Sequence, residues 1–386
     1  MKEYLLTLCR AFLCGEKIVL DKSADYEKLY RLSGVHNLSA VLFCVINTAS
    51  NKEVVPQAAF KRFENDFLEA VVRYDFQGAQ IAEIDSLCEG EGIRRVFVKG
   101  AAIRDLFPVP QARAMGDVDV LIATEDRERV KRLLCANGFA CQSANGNVYE
   151  YTKGDLLTEV HTKLLSGKIG THDLETAFEN ALTHAEFDST RGTLNSDYHL
   201  AYMLAHIAHH FWFHGAGVKL ILDLAVMLTK CDIDLDRVLD YLQPCGLCGF
   251  AKVILTVTHK WFGCGRDFGV DTAQTEAFLL NYGAFGNANR NDAAVIMRKD
   301  MESGGSAVGT RLRLLFPAYS KVKNIPYIRF IDGRPYLLPA AWVYRIYYNF
   351  RHRRAYVKSS TQTLGTKKTT TQAKKEFEYF EEIGLL

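Results

Sequence analysis

The feature that most constrains the fold is the Asp-Val-Asp-Val step at residues 117–120. A β-strand sends successive side chains to opposite faces, so Asp117 and Asp119 leave on one face while the valines enter a core. Two carboxylates this close raise each other's pKa unless a cation lies between them. Magnesium accepts carboxylate ligands together with substrate phosphates. The step therefore indicates a strand that presents two acids to a divalent metal; the alternative is an edge strand whose acids face water.

A glycine turn precedes this strand. The apolar run 95–98 ends in Lys99-Gly100, and residues 101–106 are compatible with a helix. A glycine between a strand and a helix lets backbone N–H groups approach an anion, and the helix N-terminus favours negative charge there. The sequence therefore predicts an anion-binding turn beside the acids, in which Lys99 meets either a phosphate or a structural carboxylate.

A second alternating run lies downstream, at residues 156–164. Its period of two places Leu157, Glu159 and His161 on one face. With the preceding run 149–152 it predicts an antiparallel hairpin. The hairpin supplies a third carboxylate from a separate strand, so we expect a mixed sheet with three acids on one side.

Three motifs in this order resemble those of the nucleotidyltransferase superfamily: KGAAI at 99–103, RAMGDVDVLI at 113–122 and TEVHTKL at 158–164. The specific resemblance is to its large, mostly uncharacterised bacterial family, with a Lys-Gly turn, an Arg-x-x-Gly-Asp-x-Asp block and a Glu-x-His strand. It extends through a His-rich segment to about residue 354. It implies an α+β fold, with a nucleotidyltransferase-like mixed β-sheet, flanking helices, and N-terminal and C-terminal helical regions.

The resemblance implies metal-dependent transfer of a nucleoside monophosphate from a nucleoside triphosphate to a hydroxyl. Mg²⁺ or Mn²⁺ would be held by Asp117, Asp119 and Glu159. Glu159 would complete the metal site or act as general base for the acceptor. These three acids are therefore the predicted catalytic residues.

The resemblance also implies a nucleotide site, with ATP as the expected donor. Its residues would be Lys99, Gly100, Ala101 and Arg113, and His161 would orient Glu159 or contact substrate. Many superfamily members have Gly-Ser or Gly-Gly at this turn, so Ala101 leaves the site without a phosphate-binding hydroxyl.

Composition bears on partners and location. The 386 residues carry a net charge of +2, which gives no sign of a nucleic-acid partner. The ten cysteines are scattered as expected of reduced thiols in a cytosol, and Cys245-x-x-Cys248 has no second pair to complete a metal site. No uncharged run reaches the roughly 20 apolar residues of a membrane span. We expect a cytoplasmic protein whose acceptor is a small molecule or a protein.

The chain divides into four parts by pattern. Residues 1–88 predict an N-terminal helical subdomain, 89–190 the catalytic core, 191–356 a C-terminal helical domain and 357–386 a flexible linker and tail. The Gly- and Asn-rich stretch 287–311 predicts a loop. The aromatic and basic stretch 344–354 predicts a helix that packs on the helical domain or contacts an acidic surface.

Two other interpretations stay open. One is a nucleotide-binding or regulatory module with weak turnover, acting through a protein partner, which the missing serine favours and the three acids oppose. The other is a metal phosphohydrolase built on His206, His209, His210 and Asp223, because the histidines have the i,i+3 and i,i+4 spacing of one helix face. Packing histidines beside a cleft would show the same spacing.

Overall fold

The computed structural model describes residues 1–170, 172–213, 215–283, 316–322, 325–352 and 367–386. The chain divides into two compact units, Met1–Asn287 with Gly384–Leu386 and Ala288–Ile383. In the first unit helices flank a seven-stranded mixed sheet. The expected α+β fold class is therefore confirmed. The finer four-part division stays a prediction, and the loop predicted at 287–311 lies outside the described residues.

Four helices open the chain: α1 (Lys2–Cys14), α2 (Tyr26–Val35), α3 (Ser39–Thr48) and α4 (Gln57–Gly90). Their ends follow from local chemistry. α1 stops at Gly15, whose φ of 66° is a left-handed cap that glycine adopts most readily. α2 starts after Asp25, whose carboxylate accepts a hydrogen bond from the Lys28 N–H at 2.9 Å. Near the end of α4, Ile84 and Cys88 pack into the core under the sheet.

The elements of the sheet region are, in chain order, β1 (Arg95–Phe97), α5 (Gly100–Ile103), β2 (Asp117–Ile122), α6 (Arg127–Ala136), β3 (Ala140–Asn145), β4 (Val148–Lys153), β5 (Leu156–His161), β6 (Lys168–Ile169), β7 (His172–Asp173), α7 (Leu174–Ala177), β8 (Ala185–Asp188) and β9 (Arg191–Leu194). The strand order is β3-β4-β5-β2-β1-β9-β8. β2 pairs with β5 in parallel, and so does β1 with β9, whereas the other neighbours are antiparallel. The expected β4–β5 hairpin is present.

One face of the sheet carries the core. Val118, Val120 and Val160 are buried there, together with Val130 and Leu134 of α6. Because strand side chains alternate, the residues between these valines must face the opposite side. The valines of the Asp-Val-Asp-Val step therefore fix the direction in which its acids point.

Five helices follow the sheet: α8 (Ser196–Phe213), α9 (Val218–Lys230), α10 (Leu235–Leu242), α11 (Cys248–Phe262) and α12 (Ala273–Tyr282). Glycines 215 and 217 separate α8 from α9, and Gly215 has a φ of 99°. α8 is buried around most of its circumference, as expected of a helix that is apolar on several sides. In the part of the chain that the structure describes, every helix is too short or too polar to cross a membrane.

The second unit contains α13 (Tyr319–Val322), α14 (Leu338–His352) and α15 (Lys367–Glu382). Val322, Ile328, Ile331 and Ala341 form its small core. α14 covers most of the predicted aromatic and basic helix. α15 begins inside the stretch expected to be flexible. That expectation came from the scarcity of apolar residues, whereas the Lys and Glu residues of α15 have high helix propensity.

Candidate functional site

The acids lie on the sheet face opposite the core. In the parallel β2–β5 pair, Asp119 lies opposite Glu159 and Asp117 lies opposite Leu157. Asp119 is only 2% exposed, while Asp117 and Glu159 are half-buried. The structure thus brings the three predicted acids to one side of two adjacent strands.

Two hydrogen-bond donors meet one oxygen of Asp119. Lys99 Nζ lies 2.7 Å from Asp119 Oδ1, and His161 Nε2 lies 2.8 Å from the same atom. His161 Nε2 is also 3.3 Å from Glu159 Oε2. Its other ring nitrogen has no hydrogen-bond partner among the described residues. The proton of His161 therefore belongs on Nε2, between two carboxylates.

The electrostatics follow from burial and these contacts. Burial alone would raise the pKa of Asp119, but Lys99 and His161 outweigh it and hold that pKa well below its usual range. Burial would lower the pKa of His161, and its hydrogen bonds to Asp119 and Glu159 reverse the shift, so the pKa is raised. Burial, and then the charge of Asp119, raise the pKa of Asp117. Asp119 is the fixed anion of the site, whereas Asp117 forms no ion pair with the described residues.

Lys99 is held in a strained turn between β1 and α5. Its φ of 50° and ψ of −126° are rare for a residue with a side chain, and such conformations cost about 1–3 kcal/mol. Its N–H donates to Nε2 of His199 at 3.3 Å, and its carbonyl accepts from Ala102 and Ile103. Burial lowers the pKa of His199 to about 4, which keeps this imidazole neutral and able to accept. A helix outside the sheet therefore supports the turn that aims Lys99 at Asp119.

Gly100 and Arg113 lie against each other. A Cβ on Gly100 would come within 2.8 Å of Met115 Sδ and 3.0 Å of the guanidinium carbon of Arg113. Arg113 makes a two-pronged ion pair with Asp223 of α9, with Nε–Oδ1 at 3.1 Å and Nη2–Oδ2 at 3.0 Å. Ala101 packs beside the core under the sheet. Packing accounts for the identities of Gly100 and Arg113 here, and their contact with nucleotide stays a prediction.

Several site residues are absent from the sequence prediction. Lys219 of α9 lies 3.5 Å from Asp223. Glu150 of β4 lies opposite Glu159 and extends the row of carboxylates to a third strand. Tyr202 of α8 is buried, and the charges of Lys99 and Asp119 act on its hydroxyl group. Lys219 could have been found from its i,i+4 spacing to Asp223, and Glu150 from the hairpin register.

The acid face fits a divalent cation. Ligand atoms of Asp119, Glu159 and His161 all lie within 4.8 Å of one another. Two carboxylates suit Mg²⁺, and an added imidazole nitrogen also suits Mn²⁺. Asp117 is outside this group of atoms but faces the same side. The clustered set thus differs from the predicted metal set by one residue, with His161 in place of Asp117.

The histidine-based alternative finds no comparable cluster. His206 and His210 approach each other at 3.0 Å through their Nε2 atoms. Asp223, the proposed carboxylate partner, is engaged by Arg113 instead. Within the described ranges, the acid face is the only group of three or more potential ligands. The thiols of Cys245 and Cys248 contact the carbonyls of Leu242 and Leu239.

A family model described as an uncharacterised nucleotidyltransferase matches residues 22–263. The chain belongs to this nucleotidyltransferase family. The match spans the strained turn, the acid face and α9, so every side chain of the site lies inside it. The resemblance carried by the three sequence motifs is thereby confirmed.

Similarity to individual known proteins is low for this nucleotidyltransferase. No curated protein matches it. Among solved structures it is similar to the antibiotic-resistance factor ANT(2'')-Ia, with 12% identity over 43% of this chain and 89% of that chain and a TM-score of 0.32.

Proposed function

We propose that this nucleotidyltransferase moves a nucleoside monophosphate from a nucleoside triphosphate, with ATP as the first donor to test, to a hydroxyl of a small molecule or a protein. The observation that carries the proposal is the register of β2 and β5. It sets Asp119 beside Glu159, with Asp117 on the same face. Carboxylates on adjacent strands repel each other unless cations compensate their charge. A divalent metal bound together with the substrate would supply that positive charge.

The acids would hold Mg²⁺ or Mn²⁺. Asp119 and Glu159 are the main ligands in this proposal, and Asp117 joins them from the same face. When bound, the metal would lower the pKa of an acceptor hydroxyl and neutralise the charge of the leaving pyrophosphate. Glu159 is more exposed than Asp119, with side chains that are 23% and 3% exposed. It can therefore receive the proton of the acceptor.

The cations position the donor. Lys99 and the N–H groups that follow it, at Gly100 and Ala101, would contact phosphate oxygens. Arg113 would stabilise this turn through its contact with Gly100. Before a metal binds, the Nε2–H of His161 would hold the two carboxylates in register. To ligate the metal, this nitrogen would have to release its proton.

Titration calorimetry tests the proposal. Each nucleoside triphosphate is titrated with and without Mg²⁺ into the wild type, Asp119→Asn and Glu159→Gln, and pyrophosphate release is then measured with a panel of acceptors. Asp155→Asn is the matched control, because Asp155 is an exposed acid in the β4–β5 turn. We expect binding that requires Mg²⁺, is lost in Asp119→Asn and is kept in Asp155→Asn. Failure of every triphosphate to bind the wild type would overturn the proposal.

A nucleotide-binding module without turnover is the second candidate. It is favoured by Ala101, which offers no hydroxyl to a phosphate, and by the engagement of Arg113 with Asp223. The same experiment separates the two functions. Metal-dependent binding without pyrophosphate release, across small-molecule and protein acceptors, would favour the module.

A further inference from the structure

Lys219 is a cation at the site that none of the three sequence motifs contains. It occupies the first turn of α9, and its side chain is 12% exposed. Its Nζ lies 3.5 Å from Oδ2 of Asp223, one helical turn later. A well-formed charge-assisted hydrogen bond is shorter, at about 2.7–2.9 Å. Lys219 is therefore only loosely paired with the acid on its own helix.

Asp223 is already matched by another residue. Both of its oxygens accept from Arg113, at 3.0 and 3.1 Å, and its side chain is fully buried. A planar guanidinium that engages both oxygens satisfies a carboxylate in charge and geometry. Arg113 thus takes the close contacts with Asp223 and leaves Lys219 a longer one.

Lys219 is linked to the Lys99–Gly100 turn through Arg113, which pairs with the same Asp223 and lies against Gly100. The charged groups that act on Lys219 include Arg113, Asp223 and Asp117 of β2. Burial, and then repulsion by Arg113, lower the pKa of Lys219 below its usual value despite both acids. A buried cation without a close counter-ion is costly unless an anion approaches it. Lys99, in contrast, already has a close partner in Asp119 at 2.7 Å.

We infer that Lys219 binds the polyphosphate of the nucleotide donor. The inference rests on the proposed function, and it gives α9 a direct part in a site that the sequence motifs confine to the sheet and its turn. The ammonium acts as a point charge on a phosphate oxygen. Arg113 acts as a positioning residue, because it occupies both oxygens of Asp223 and leaves Lys219 available to the ligand.

The test compares ligands that differ only in phosphate number. The triphosphate that the wild type binds best, and the monophosphate of the same base, are titrated with Mg²⁺ into Lys219→Met, Lys219→Arg and Lys230→Met. Lys230 is the exposed last residue of the same helix and serves as the matched control. We expect Lys219→Met to weaken triphosphate binding by about 10- to 100-fold, the range of one charge-assisted hydrogen bond, and to change monophosphate binding little. Lys219→Arg restores part of the affinity.

The outcomes separate this inference from the proposed function. If the wild type binds triphosphate and Lys219→Met binds it equally well, Lys219 is only a partner of Asp223 and the inference is overturned. An equal loss for monophosphate and triphosphate overturns it too, because the loss then does not follow the phosphates. If the wild type binds no nucleotide, the proposed function fails first and the inference fails with it.

Discussion

The ion pair between Lys99 and Asp119 makes the sharpest stability prediction. Its side chains are 15% and 3% exposed, and removing one partner of a buried pair costs about 3–5 kcal/mol. His161 remains on Asp119 after the change, so we expect the lower end of that range. Lys99→Met should thus reduce the free energy of unfolding by about 3 kcal/mol. Methionine keeps most of the aliphatic stem and the same backbone strain, so the change isolates the charge.

The matched control is the pair of Lys61 and Glu64 on α4. Its N–O distance of 2.6 Å is almost the same, but the side chains are 66% and 31% exposed. Exposed i,i+3 or i,i+4 pairs on helices contribute only about 0.3–0.5 kcal/mol, so Lys61→Met should change stability little.

Urea unfolding followed by tryptophan fluorescence measures both variants, and Asp119→Asn completes a double-mutant cycle with Lys99→Met. The double variant should lose less stability than the sum of the single variants, because the two groups stabilise each other. Equal effects of Lys99→Met and Lys61→Met, or additive losses in the cycle, would refute the assignment of Lys99 as the buried counter-ion of Asp119.

Three further predictions follow from the same contacts. Gly100→Ala should destabilise by about 1–3 kcal/mol, because its Cβ would meet Met115 and Arg113, whereas Gly116→Ala meets nothing within 4 Å and serves as its control in urea unfolding. The free energy of unfolding should fall as pH drops from 6.5 towards 4, because His199 is protonated near its ordinary pKa of 6.5 in the unfolded chain, whereas its pKa in the folded chain is about 4. His199→Gln should reduce this pH slope by up to about 1.4 kcal/mol per pH unit. An unchanged slope would count against a neutral His199. Lys99→Met should bind Mn²⁺ more tightly than the wild type when nucleotide is absent, as followed by electron paramagnetic resonance, because a competing cation has left Asp119; equal affinity would mean that the metal binds elsewhere.

The sequence predicted the parts of the site that obey a short period. Alternation at 117–120 and 156–164 predicted which side chains share a face, and the register of β2 with β5 agrees. Alternation of this kind is visible in a sequence because a buried face demands apolar residues at every second position. The parallel pairing of these two strands was not visible, since β3, β4 and α6 lie between them in the chain.

The supporting contacts could not be predicted for a different physical reason. The imidazole that supports the Lys99 turn lies 100 residues away, and the partner of Arg113 lies 110 residues away. Asp223 is a charged side chain within an apolar run of α9, and His199 is one of four histidines on α8. A sequence presents a buried polar residue as an exception without naming its partner. Asp223 was such an exception, and the structure shows that it pairs with Arg113.

The two buried carboxylates of the site are neutralised in different ways. The difference distinguishes a residue that supports the structure from one that takes part in the chemistry. Asp223 gives both oxygens to one rigid guanidinium, so a ligand would have to break two hydrogen bonds to compete. Asp119 receives Lys99 and His161 on the single atom Oδ1, from two side chains that can turn independently. A cationic partner is therefore exchanged more easily at Asp119 than at Asp223. This is the arrangement expected if Arg113 and Asp223 fix the frame while Lys99, Asp119 and Lys219 change partners when the donor arrives.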